Sequence, residues 1–289
     1  TQLSNSTYFY NKTPYTTCGM LFNNYIINLN IPREWRYNKL MKKFTFLITA
    51  RLKSKRLPKK VLLEVLGKPL IVHMINRIKY AKNIDKIIIC TSTNAQDDPL
   101  EEIANQERIN CYRGSEDDVL QRLLDAAKKF NLNHFANMTA DVPMIDPFLI
   151  DEFVERYNDL NVDLVLPEKN SFGACYVIKV SSLEKVCKTK KETDTEIWVK
   201  FFTSHKKLKI HIFKVNSERK HKFLKTSLDY YEDYKFIQKI FEELYKPNQV
   251  FANKDIVNLV KKNPYIAKIN NDWIHLQRWQ NHIENINKK

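Results

Sequence analysis

The sequence predicts an α/β protein with a mainly parallel sheet. Strand-length apolar runs recur along the chain, amphipathic helical segments separate them, and polar loops follow the strands, which is the alternation that right-handed crossovers require. The first strand is expected at Phe44–Ala50, with a polar loop reaching Lys60. A helix is expected over Pro69–Ala81, because Leu70, Met74, Ile75 and Ile78 fall at helical spacing, and the second strand over Lys86–Thr91. Next come a helix from Asp98 to about Gln106, a short strand at Asn110–Tyr112, a helix over Glu116–Phe130 and a strand at His134–Thr139. Ser115, with Asp118 three residues on, reads as the N-cap of that third helix, since a hydroxyl accepts from an otherwise unpaired amide of the first turn. The order continues with a helix at Phe148–Tyr157, strands at Asp163–Leu166 and Ala174–Val180, and helices at Ser182–Cys187 and Thr195–Thr203. Strands are then expected at Leu208–Val215 and Leu224–Leu228. Tyr230–Tyr245 reads as a long helix with Tyr234, Ile237, Phe241 and Leu244 on one face, and Asp255–Lys262 as one more.

Composition narrows the class. A chain of 289 residues that is 43% hydrophobic can bury a sizeable core, so wholesale disorder is excluded. No apolar run approaches the roughly 18 residues of a membrane-spanning helix, so no integral membrane protein and no membrane partner are expected. Thr1–Ser6 lack the basic start and apolar stretch of a secretory signal, which makes a cytoplasmic location the expectation. Five cysteines without CxxC spacing fit reduced thiols better than a disulfide framework or a zinc site. The net charge of +15 raises the question of nucleic acid, but the excess is +3 over residues 1–40, +5 over 41–150 and +7 over 151–289. Charge so evenly spread does not make a dedicated polyanion surface, and no nucleic-acid partner is expected.

Residues 1–40 are rich in Asn, Thr and Tyr and show no sustained periodicity. They are expected to be an extension; the alternative is an arm packed on the domain through the apolar residues of Met20–Ile31. Met41-Lys42-Lys43 looks like a start of translation, so the working domain is expected over 41–245. Residues 246–289 are expected to form a helical extension whose Phe251, Trp273 and Trp279 close the core or form a dimer contact, a homodimer being the commonest oligomer.

The segment Ala50-Arg51-Leu52-Lys53-Ser54-Lys55-Arg56-Leu57-Pro58-Lys59-Lys60 carries six cations in eleven positions directly after the first strand. Ligands of open α/β sheets bind at the carboxyl ends of strands, where loops leave a crevice and exposed amides. A polyphosphate suits this loop, with Arg51 and Arg56 gripping in bidentate fashion and Lys60 as a point charge; a solvated basic loop is the alternative. Asp141 follows the strand His134–Thr139 and so lies at the same edge, and Asp229 ends the strand expected at Leu224–Leu228. Two carboxylates beside a polyphosphate loop suit Mg²⁺, which takes one or two carboxylates plus phosphates and water. Taken singly, Asp229 also suits an N-cap and Asp141 a turn before Pro143. Thr91-Ser92-Thr93, after the second strand, either approaches a base edge or forms an ordinary turn. Asp194 and Glu196, in a polar stretch with Trp198, either contact sugar hydroxyls or oppose a helix dipole. Gly173 marks either close backbone approach to a ligand or a simple turn.

In order along the chain, ARLKSKRLPKK (50–60), LGKPLI (66–71), RGSEDDVLQR (113–122), TADVPMIDP (139–147) and SLDYYEDYKFI (227–237) resemble the cytidylyltransferase family. That family includes CMP-sugar-acid synthetases and, closest in motif order, the spore-coat-polysaccharide-F-type proteins. Five motifs in order over residues 43–245 are far more specific than any one of them. The family pattern reads RLPGK, whereas here Lys59 stands at the glycine, which is expected to stiffen the turn or exclude a positive φ.

The resemblance implies a Rossmann-like sheet of the GT-A type with helices on both faces. It implies that Ala50, Arg51, Ser54, Arg56 and Lys60 hold a nucleoside triphosphate, that Asp141 and Asp229 bind Mg²⁺, and that Arg113, Ser115 and Asp117 lie near the nucleotide or the sugar. Thr91 would then be a base-edge contact, and Gly173, Asp194 and Glu196 would belong to the acceptor pocket. The implied reaction is CTP-dependent: a sugar hydroxyl or sugar phosphate oxygen attacks the α-phosphate in line and pyrophosphate leaves, with Arg51, Lys60 and Asp141 nearest the chemistry. The product would be an activated sugar or sugar acid for surface glycan. Two other readings remain open: a GT-A glycosyltransferase, for which no DxD motif follows a strand, and an inactive nucleotide-binding protein, for which Lys59 is the argument.

Overall fold

A computed structural model describes residues 18–22, 25–29, 43–169, 171–221 and 224–271. Its contacts divide the chain into Thr1–Lys42 and Lys43–Lys289. In the first unit Cys18–Phe22 (β1) and Tyr25–Leu29 (β2) pair antiparallel, regular structure in a stretch whose sequence shows no periodicity. Met41, Lys42, Trp273 and Trp279 lie outside the described residues.

In the second unit Phe44–Thr49 (β3) is buried at every position, as a central strand covered on both faces must be. Glu64–Val65 (β4) and Lys68–Pro69 (β5) close a tight hairpin on Leu66 and Gly67, both at positive φ, the geometry of a turn that matches strand twist. The chain then runs through Leu70–Ile78 (α1), Ile84–Ser92 (β6), Asp98–Gln106 (α2), Asn110–Gly114 (β7), Val119–Lys129 (α3), His134–Thr139 (β8) and Pro147–Asp159 (α4). Leu164–Pro167 (β9), Tyr176–Lys179 (β10), Val180–Thr189 (α5), Val199–Thr203 (α6) and Ile210–Phe213 (β11) follow. Tyr231–Leu244 (α7), Asn253–Lys262 (α8) and Pro264–Lys268 (α9) complete it.

The sheet has seven strands in the order β11-β9-β10-β8-β3-β6-β7. Only β10 runs against the others, so the carboxyl ends of β3, β6, β7 and β8 share one edge, and the amino end of β10 joins them there. One face packs Phe46 and Ile48 against Ile75 of α1, Ile103 of α2 and Phe153 of α4. The other packs Leu47, Cys90 and Phe135 against Leu123 of α3, Leu183 of α5 and Phe202 of α6. A third cluster joins Phe236 and Phe241 of α7 to Val257 of α8 and to Leu70. Each such side chain contributes about 1.5–3 kcal/mol by leaving water. The mainly parallel Rossmann-like sheet with helices on both faces is the expected architecture.

Three local expectations are corrected. No strand forms at Leu224–Leu228, which runs as irregular chain and makes one ladder-like bond, from the Leu228 amide to the Asp141 carbonyl at 2.8 Å. The third helix is capped by Asp118, which accepts from the Gln121 amide, while the Ser115 hydroxyl accepts from the Asp118 amide one turn earlier. The helix expected from Thr195 starts only at Val199, because Thr195 is committed elsewhere: it donates to Asp118 and accepts from the Leu120 amide. Cys90, Cys111, Cys175 and Cys187 are free, and burial pushes the Cys90 thiol up to about 12, so it serves as core. No helix among the described residues is long and apolar enough to cross a membrane.

Candidate active site

The basic loop is pinned at its first residues. The Ala50 amide donates to the Cys90 carbonyl at 3.1 Å, and the Leu52 amide to Asp97 Oδ1 at 2.7 Å. At its far end Lys59 adopts φ 52°, ψ 28° and starts a short 3-10 turn over Lys60–Leu62. The left-handed conformation that a glycine would supply is therefore kept with a lysine, and the expected exclusion of positive φ does not occur. The backbone cost of a side chain there is about 1–2 kcal/mol.

Within this frame the loop cations meet carboxylates from four other segments. Arg51 Nη2 lies 2.8 Å from Glu196 and Nη1 3.6 Å from Asp117. Lys53 pairs with Glu116 at 3.3 Å. Arg56 Nη2 donates to Asp229 Oδ1 at 2.7 Å and its guanidinium lies over the Tyr230 ring. Lys60 Nζ donates to Asp141 Oδ2 at 2.9 Å, to Asp229 Oδ1 at 3.4 Å and to the Leu228 carbonyl at 2.6 Å. Lys55 and Lys59 make no ion pair among the described residues. The Thr139 hydroxyl holds the other oxygen of Asp141 at 2.5 Å.

These contacts set the charge states. Burial works against the Lys60 ammonium, but Asp141 and Asp229 outweigh it and raise its pKa. Burial likewise pushes the Asp229 carboxyl upward, and Lys225, Lys60 and Arg56 together overcome it, holding it at about 2. Asp229 does not cap the following helix; Asp233 accepts from the Asp229 and Tyr230 amides instead, leaving Asp229 to the cations.

The structure thus brings together Ala50, Arg51, Arg56, Lys60, Asp141 and Asp229, with Glu196 and Asp117 facing Arg51. Glu196 reaches the basic loop, while Asp194 accepts from the Glu196 amide within its own turn. Ser54 accepts from the Leu57 amide at 3.4 Å and shapes the loop. Ser115 is exposed on the neighbouring turn. Thr91 stands apart: it is wholly buried, and its hydroxyl donates to Asp97. Arg113 is taken up by Asp98, Glu101 and the carbonyls of Ser92 and Asn94. The close approach expected at Gly173 is to the protein itself, since a Cβ there would sit 2.5 Å from the Asn253 amide oxygen.

Sequence reasoning passed over Lys225, which pairs with Asp229 at 3.1 Å and Asp233 at 2.5 Å, although the spacing of four between 225, 229 and 233 was a readable signal. It also passed over Asp118, which receives Thr195 and Lys190 and so fastens the Glu196 segment beside the loop. Asp97 carried no signal beyond lying before a helix.

A parallel sheet with a cation-rich loop after one strand, and acidic residues after the next, defines a nucleotide-handling α/β protein of the nucleotidyltransferase kind. The comparisons with known proteins narrow this class. Residues 45–268 match the profile of the family described as Cytidylyltransferase. The spore coat polysaccharide biosynthesis protein SpsF of Bacillus subtilis is 25% identical over 235 residues, covering 78% of this chain and 98% of that one. The 3-deoxy-manno-octulosonate cytidylyltransferase 2 of Actinobacillus pleuropneumoniae is 30% identical over 148 residues, 48% of this chain and 58% of its own. A solved cytidylyltransferase from Leptospira borgpetersenii superposes with a TM-score of 0.71 at 26% identity, covering 78% of this chain and 97% of that one. The chain belongs to the cytidylyltransferase family and is a nucleotidyltransferase.

Proposed function

We propose that this protein transfers CMP from CTP to a sugar acid or sugar phosphate, with Mg²⁺ held by Asp141 and Asp229, in the cytoplasmic synthesis of surface glycan. The observation that carries the reading is the convergence of those two carboxylates on one ammonium, at 2.9 and 3.4 Å from Lys60 Nζ. A cation already lies between two oxygen-only donors, and that donor set fits a hard divalent ion whose other positions go to phosphate and water. Bound there, Mg²⁺ would supply charge neutralisation for the triphosphate.

The chain's own residues do the rest. Arg51 and Arg56 exchange carboxylate partners for phosphate oxygens, which accept the same bidentate grip. Lys60 moves from the carboxylates to the leaving phosphates and stabilises the charge that develops on pyrophosphate. The acceptor oxygen attacks the α-phosphorus in line; a new P–O bond forms, and the bond to the β-phosphate oxygen breaks with its electron pair leaving on pyrophosphate. The sugar acid acceptor is supported by the family resemblance and by the octulosonate-transferring relative, and the glycan role by the spore-coat relative.

The test is pyrophosphate release from CTP, UTP, ATP and GTP with Mg²⁺, using 3-deoxy-manno-octulosonate, other sugar acids and sugar 1-phosphates as acceptors. Release with CTP and one anionic sugar, abolished by a chelator, is expected. Preference for another nucleotide, or undiminished release in chelator, overturns the corresponding part of the proposal.

A further inference from the structure

Asp97 is wholly buried and has no ion-pair partner among the described residues, yet its carboxylate accepts four hydrogen bonds. Oδ1 takes the Leu52 amide at 2.7 Å. Oδ2 takes the Thr91 hydroxyl at 3.1 Å, the Ser92 amide at 3.3 Å and the Ser92 hydroxyl at 2.5 Å. One oxygen therefore holds the start of the basic loop and the other holds the end of β6.

Its place in the sequence, just before Asp98–Gln106, suggests a helix cap, but the side chain makes no cap bond to that helix. All four of its donors belong to the two segments that flank the nucleotide edge. An ionised carboxylate accepts at both oxygens and donates at neither, so one buried group can join two backbones that each offer only donors. Burying a charge is costly unless its hydrogen bonds are complete, so the bond set has to stay intact for the group to persist there. A second buried charge works beside it: Arg122 is fully buried and donates to the carbonyls of Ser115 and Glu116, holding the turn from which Asp117 meets Arg51.

We propose that Asp97 is a positioning residue of the nucleotide site, fixing Leu52, and through it Arg51, against the end of β6 so that phosphate and nucleoside contacts are held in one geometry. Asp97 itself touches no ligand in this reading, and the identity of the ligand rests on the function proposed above.

The experiment is calorimetric titration of the full chain with CTP and, separately, with inorganic pyrophosphate, for wild type, D97N, D97A and D163A. Asp163 is the control, a carboxylate that accepts from the Ser182 hydroxyl and the Lys209 amide in the other half of the sheet. D163A is expected to lower the melting temperature and leave both dissociation constants within about twofold. D97N keeps one acceptor oxygen and is expected to weaken CTP by about tenfold; D97A, which keeps none, by on the order of a hundredfold. If D97A does not fold, D97N decides alone. CTP affinity unchanged in D97N, or lost equally in D163A, overturns the positioning role and leaves the proposed function standing. A wild-type protein that binds no CTP overturns both.

Discussion

The two ends of the basic loop use the same kind of bond for different ends. Arg51 pairs with Asp117 and Glu196, whose side chains are 60% and 65% exposed, whereas Lys60 pairs with Asp141 and Asp229, which are 27% and 11% exposed. Exposed pairs contribute about 0.2–1 kcal/mol and weaken with salt, so Glu196 is a partner that a phosphate displaces cheaply. The buried pairs shift the charge states of both partners, and removing one member strands the other. A triphosphate arriving at Lys60 therefore needs a replacement cation between the two carboxylates, and none is needed at Arg51. The difference teaches that an ion pair is a placeholder or a frame according to how much water its carboxylate sees.

The strongest way to break this comparison is to remove Asp141. D141A is expected to lower the rate of pyrophosphate release on the order of a thousandfold, because the group that faces Lys60 and the proposed metal is lost. A rate within tenfold of wild type would remove Asp141 from the chemistry.

Next in size is the acid limb of stability. The carboxyl of Asp229 is held at about 2, below its ordinary 3.8, so its contribution is present above pH 4 and is lost as pH falls through 2. At 1.36 kcal/mol per unit this amounts to about 2 kcal/mol. Chemical denaturation between pH 5 and 2 should show that limb flattened in D229N and unchanged in E196Q; equal flattening in both would erase the distinction between the two ends. Lys60 runs the other way: its raised pKa makes its contribution complete below 10.5 and lost only as pH climbs past that value.

E196Q sharpens the comparison from the exposed end. Freed of its competitor, Arg51 should bind CTP about two- to fivefold more tightly, with the melting temperature unchanged, as read by titration and thermal melts. Looser binding would mean that Glu196 orders Arg51 instead of competing for it.

The smallest expected effect is at Lys59. Its φ of 52° is strained for any residue with a Cβ, so K59G is expected to stabilise by about 0.5–1 kcal/mol, a gain of about 2 °C at this chain length. A loss on thermal melting would show that the lysine side chain earns its place by a contact worth more than the strain.

Much of this site is legible in the chain because strand ends are legible. Phe44–Thr49 and His134–Thr139 are apolar runs of the right length, so whatever follows them, Arg51 to Lys60 and Asp141, must emerge at one edge of a parallel sheet. Asp229 was placed by resemblance and not by its strand, since none forms at Leu224–Leu228. Thr91 and Arg113 follow a strand as Asp141 does, yet the first is buried beneath the edge and the second is held by Asp98 and Glu101. Periodicity locates a residue along a strand and says nothing of which neighbour claims its side chain.

By itself, then, the sequence determined the α/β alternation, the sheet edge at which chemistry is possible and the cations that gather there, because hydrophobic spacing and charge are local properties. Only the tertiary structure decided which carboxylates those cations meet. The partners of Lys60 lie 81 and 169 residues away. Their burial, and with it the difference between a replaceable ion pair and a structural one, depends on how distant segments exclude water from one another.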